Sequence, residues 1–166
     1  MIRIGILGSI GSGKSFVAKC FGYPVFNADL EVSKIYKNNK NIYKKLKSTL
    51  PEYIFSFPVN KKEITNAILG NKYNLTKIVK VVHLEVRKKM NLFLKKNKEK
   101  KLVVLDVPLL LENKINKKNH ILVFVQSKRS ETTKRLKKRK NYNKKLFYKF
   151  KNIQLSLDYK KKNHTS

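Results

Sequence analysis

Apolar and polar positions alternate in blocks that predict a strand-helix-strand beginning. Ile2-Arg3-Ile4-Gly5-Ile6-Leu7 is short, apolar and rich in β-branched residues, as a strand buried in a parallel sheet should be. A helix follows, from about Lys14 to Phe21-Gly22, where glycine can close it. Pro24-Val25-Phe26 reads as a second strand ending in Asn27-Ala28-Asp29. From Leu30 to about Leu50 the spacing of Val32, Ile35, Tyr36, Ile42 and Leu46 is helical. Pro51 to Pro58 is aromatic and proline-broken, a packed connection. Lys61 to Leu69 is a short helix stopped by Gly70-Asn71, and Leu75 to about Lys96 a long amphipathic one. Leu102 to Asp106 and His120 to Val125 are further strands. Ser130 to Arg139 is helical, and Lys137 to Lys151 is polar, basic and only weakly periodic. Tyr159 to Ser166 lacks an apolar pattern and reads as a frayed end.

Strand, helix, strand is the unit of a parallel α/β sheet, whose ligands sit at the carboxyl ends of the strands. At the end of the first strand stands Gly8-Ser9-Ile10-Gly11-Ser12-Gly13-Lys14-Ser15, the G-x-x-x-x-G-K-S phosphate-binding loop, in the strand-to-helix context that gives the motif its meaning. Its glycines let successive backbone N–H groups point at one spot, and the helix start adds its positive dipole end. Lys14 can reach the β- and γ-phosphates of a nucleotide, and the Ser15 hydroxyl can ligate the accompanying Mg²⁺. Asp106, at the end of a strand, occupies the place of a Walker-B acid that holds the Mg²⁺ shell.

Other polar residues carry two readings each. Asp29 precedes a helical pattern and suits an N-cap, yet it also lies at the phosphate end of the sheet. His83 and Arg87, four apart, share one helix face, either as ordinary surface or as part of a site. Arg135 and Arg139 are likewise four apart and form either a solvated basic face or part of a lid over phosphates.

Composition changes this picture little. A length of 166 residues suits one domain with a small insertion. No leader and no apolar run long enough to cross a bilayer is seen, so the expected place is the cytoplasm, with no membrane partner. The single cysteine, Cys20, excludes an internal disulfide, and its helix position suggests core packing. The net charge is +30, but 35 of the 40 basic residues are lysine, spread along the chain among Asn, Ile and Tyr. That mixture resembles the codon bias of a genome poor in G and C rather than a clustered, arginine-rich nucleic-acid surface. No specific nucleic-acid partner is expected, and weak binding at low salt is.

Taken together, these blocks resemble the dephospho-coenzyme A kinase family. Besides the phosphate loop, Asn27-Ala28-Asp29 stands where that family has Asp-Ala-Asp. Val82-His83-Leu84-Glu85-Val86-Arg87 is similar to its Leu-His-Pro-Leu-Ile-Arg block, and Leu105-Asp106-Val107-Pro108-Leu109-Leu110-Leu111-Glu112 to its Leu-Asp-Ile-Pro-Leu-Leu-Phe-Glu. Arg135, Arg139 and Gln154 fall at its lid arginines and the glutamine after them. The resemblance covers nearly the whole chain.

The resemblance implies a three-layer P-loop kinase fold. Its parallel sheet would have order 2-3-1-4 and lack the fifth edge strand, with a helical acceptor-binding subdomain over residues 30–100 and a lid over 137–158. The implied activity is phosphorylation of the ribose 3′-hydroxyl of dephospho-CoA by ATP with Mg²⁺, in a monomer or small homo-oligomer. ATP would be bound by Gly11, Ser12, Gly13, Lys14, Ser15, Phe16, Arg135 and Arg139. Asp29 would be the catalytic base with Lys14 the catalytic cation, and Ser15 and Asp106 would hold the metal. Asp29, His83, Arg87, Pro108 and Leu109 would hold the acceptor. The chain departs from the family pattern at Leu7, Ser9, Asn27, Ser33 and Phe150. Two alternatives stand beside this reading: another small-molecule or nucleotide P-loop kinase, and a degenerate, basic P-loop protein that binds nucleic acid.

Overall fold

The computed structural model describes residues 1–107, 120–138 and 142–153. Among them the chain forms β1 (Ile2–Gly8), α1 (Lys14–Cys20), β2 (Val25–Asn27), α2 (Ala28–Asn38), α3 (Lys40–Thr49), α4 (Lys61–Gly70), α5 (Asn74–Lys96), β3 (Leu102–Asp106), β4 (His120–Val125), α6 (Arg129–Lys137) and α7 (Lys144–Ile153). Two compact units result, Met1–Ala28 with Phe93–Ser166, and Asp29–Leu92.

The first unit is a parallel sheet in the order β2-β3-β1-β4. β1 lies inside it because Ile4 to Gly8 is a continuous run that tolerates burial on both faces, and all five residues are buried. Its neighbour β3 is equally apolar, with Val103, Val104 and Leu105 fully buried. Ile4, Ile6, Ala18 and Val104 form a cluster against which Phe21, Val25, Leu102, Val123 and Val125 pack. In β4, His120 and Leu122 are buried while Ile121 is exposed, the alternation of a less enclosed strand. The registers set carboxyl ends side by side in two pairs: Asn27 opposite Asp106, and Gly8 opposite Val125.

The second unit is helical, and its apolar spacing is that of the sequence: Ile35, Ile42, Leu46, Ile64, Ile68, Ile78, Val82, Val86 and Met90 are all buried. The helix expected from Leu30 to Leu50 is two. Asn39 ends α2 and caps α3, its side-chain oxygen accepting from the Ile42 amide at 3.0 Å. In the connection that follows, Ile54 is fully buried, and Glu63 of α4 accepts from the Phe55 and Ser56 amides and the Ser56 hydroxyl.

Two other expectations are corrected. Cys20 is exposed rather than packed in the core. Ala18 is the buried position of α1, and two residues on the helix has turned about 200° away; Phe21 packs on the sheet cluster instead. The weakly periodic basic stretch contains a regular helix, α7, whose Leu146, Phe147 and Phe150 are half-buried. No described helix is long and apolar enough to cross a membrane.

Candidate active site

The loop between β1 and α1 is shaped by what its glycines permit. Gly13, the residue before α1, has φ 99° and ψ 16°, a left-handed conformation that strains any residue with a Cβ. Gly11 has φ 83°, and a Cβ there would lie 3.0 Å from Leu136 and Thr132 of α6, so the loop can take the close approach of that helix only as glycine. The Gly13 carbonyl accepts from the Phe16 and Val17 amides, which starts α1 directly behind the loop.

Lys14 is bent over the loop it belongs to. Its Nζ donates to the Ser9 carbonyl at 2.7 Å and to the Gly8 carbonyl at 3.3 Å. A cation so held bridges the loop while adding positive charge where phosphate would sit. Ser12 is buried, and no described residue pairs with its hydroxyl. Ser15 and Phe16 are exposed, Phe16 to 74 %.

Arg135 of α6, far away in sequence, reaches the same loop. Its Nη1 donates to the Ser12 carbonyl and to the Ser127 hydroxyl, each at 3.3 Å. Asp106 ends β3, next to β1, and is 3 % exposed. Its Oδ2 accepts from Asn27 Nδ2 at 2.9 Å. The sequence reading did not pair these two residues. The signal was present, since each ends a strand, but it acquires meaning only once β2 and β3 are known to be neighbours. Gly11 to Phe16, Asp106 and Arg135 thus all belong to the sheet unit. Ser15 and Asp106 offer hard oxygen donors, the kind Mg²⁺ prefers.

The remaining residues belong to the helical unit. Asp29 is exposed and lies in the first turn of α2, which begins two residues earlier than a cap at Asp29 requires. Its carbonyl accepts from the Ser33 hydroxyl at 3.0 Å. His83 and Arg87 occupy successive turns of α5. His83 is half-buried, its Nε2 is shielded, and no described residue bonds to that atom. Burial, and secondarily the Arg87 charge, hold its pKa below the usual histidine value, so the ring is neutral at neutral pH. A depression on this unit, about 680 Å³ and open to solvent, is bordered by Lys34, Lys37, Lys40 and Lys89 and contains none of these residues. Pro108, Leu109, Arg139 and Gln154 lie outside the described residues.

Comparison with known proteins agrees with this arrangement. A family model described as dephospho-CoA kinase matches residues 2–165. A dephospho-CoA kinase of Wolbachia pipientis wMel is 34 % identical over 164 residues, which is 96 % of this chain and 84 % of the relative. One from the Wolbachia of Brugia malayi is 34 % identical over 141 residues, 82 % of this chain and 72 % of the relative. A crystal structure of a protein from Thermus thermophilus superposes with a TM-score of 0.75 at 28 % identity, covering 99 % of this chain and 85 % of that one. With its phosphate loop, its sheet order and a match along nearly its whole length, the chain belongs to the dephospho-CoA kinase family.

Proposed function

We propose that the protein transfers the γ-phosphoryl group of ATP to the 3′-hydroxyl of dephospho-CoA, the last step of coenzyme A biosynthesis, in the cytoplasm. The observation that carries the reading is the convergence on one loop of Lys14 and Arg135, with Asp106 ending the strand next to the one that leads into it, in a chain matched to the family over residues 2–165.

Phosphoryl transfer needs positioning and charge neutralisation more than covalent chemistry. The amides of Gly11 to Ser15 would bind phosphate oxygens. Lys14 would exchange its loop carbonyls for the β- and γ-phosphates, and Arg135 would neutralise charge developing on the transferred group. Arg139 is assigned to the same task from sequence alone, and Phe16 to the nucleotide. Ser15 and Asp106 would hold Mg²⁺, which would supply positive charge to offset that of the phosphates. Asp29 would take the proton of the attacking hydroxyl. His83, through its shielded Nε2, and Arg87, through its charge, would hold the acceptor, with Pro108 and Leu109. Residues 30–100 would then be the acceptor-binding subdomain and 137–158 the lid.

The test is to supply ATP, Mg²⁺ and dephospho-CoA and follow formation of CoA and ADP, with Lys14→Ala alongside. Wild type should produce both in equal amounts. Lys14→Ala should be at least about a hundredfold slower with an unfolding midpoint close to wild type, because the lysine contributes charge rather than core packing. Turnover of nucleoside monophosphates in place of dephospho-CoA, or normal turnover by Lys14→Ala, would overturn the assignment.

A further inference from the structure

Asn27 and Asp106 end adjacent parallel strands in direct register, and their side chains meet on the same side of the sheet. Asp106 is almost wholly buried, so its carboxylate oxygens depend on nearby donors for hydrogen bonds and to hold one rotation. The Asn27 amide supplies such a donor to Oδ2.

We infer that Asn27 is a positioning residue for Asp106: it fixes the carboxylate by a neutral amide donor, so that the protein offers a metal shell one ready-oriented acid instead of two that repel one another. The inference rests on the kinase reading above and deepens it. An aspartate at position 27 would place two carboxylates within hydrogen-bond distance, a pair that a divalent cation stabilises and that repels without one. With asparagine there, the empty site needs no cation to hold its shape. Among the described residues no group of three or more His, Cys, Asp or Glu side chains is gathered around the pair.

The experiment uses the full chain and two variants. Thermal unfolding is measured without nucleotide, in EDTA and then in MgCl₂. The wild-type midpoint should be the same in both, whereas Asn27→Asp should melt lower in EDTA and regain about 2–4 °C or more in MgCl₂. This readout needs no turnover, so it stands even if the assay for CoA fails. In the active enzyme, Asn27→Ala should raise the Mg²⁺ concentration for half-maximal rate about tenfold or more and recover much of its rate at saturating Mg²⁺, as loss of a ligand-orienting partner does. A merely structural asparagine would lower stability in both variants without touching either Mg²⁺ dependence. An Asn27→Asp midpoint indifferent to Mg²⁺, or an Asn27→Ala half-saturation equal to wild type, would overturn the inference. Should Asn27→Ala fail to fold, the near-isosteric Asn27→Asp decides alone.

Discussion

At position 29 two roles call for different atoms. Dipole stabilisation in the first turn of α2 needs negative charge, worth about 0.3–1 kcal/mol, whereas a general base needs a carboxylate that can accept a proton. Asp29→Asn should accordingly lower the unfolding midpoint by no more than a few degrees and leave ATP affinity intact, while turnover falls about a hundredfold or more. All three are measurable on one preparation, and intact turnover would move the base elsewhere. His83 offers a pH test. Because its native pKa lies below the usual 6.5, the unfolded chain binds more protons than the native one in the interval between the two values. Stability therefore declines as pH falls through that interval, and His83→Gln should remove this part of the decline; unfolding midpoints from about pH 7 to about pH 5 would show it. Residues such as Lys14 and Ser15 were legible in the sequence because their motif is contiguous and its geometry local. The Asn27–Asp106 pair was not, because a contact across 79 positions depends on strand order that no local pattern encodes.

Among the elements, the break between α2 and α3 depends on a single side chain. Asn39 supplies the oxygen that satisfies the Ile42 amide, so Asn39→Ala should cost about 1 kcal/mol, read as a shift in the denaturation midpoint at unchanged slope. An unchanged midpoint would mean that packing of Ile42 and Leu46 alone places α3. Periodicity indicated helix on both sides of this point but not the interruption, since Lys37-Asn38-Asn39-Lys40 is polar throughout and a continuous helix would expose it just as well. The opposite error arose at α7. Its lysines mask the apolar spacing of Leu146, Phe147 and Phe150, and the stretch reads as weakly periodic when it holds a regular helix. The strands were easier, because short β-branched runs between turn residues have few other solutions in a parallel sheet.

On the scale of the whole molecule, ten acids cannot neutralise forty bases, and every substrate proposed here is an anion. The ion pairs Lys34–Glu31, Lys88–Glu85, Lys98–Glu99 and Lys134–Glu131 lie at the surface and contribute little to stability. The excess charge should attract polyanions indiscriminately. Affinity for duplex DNA, titrated from about 50 to about 200 mM salt, should fall by about a thousandfold or more, and binding that survives the salt would indicate a built nucleic-acid surface. The sheet order has a different consequence, one of timing. β1 leaves the ribosome before the other described strands, yet both of its partners, β3 and β4, come after the entire Asp29–Leu92 stretch. The helical unit, whose sequence is uninterrupted, can be complete before either exists. The strand synthesised first is thus paired late, and until β3 emerges the nascent chain carries the apolar run Ile4 to Leu7 with no strand beside it, a segment for which a chaperone would be the natural temporary neighbour.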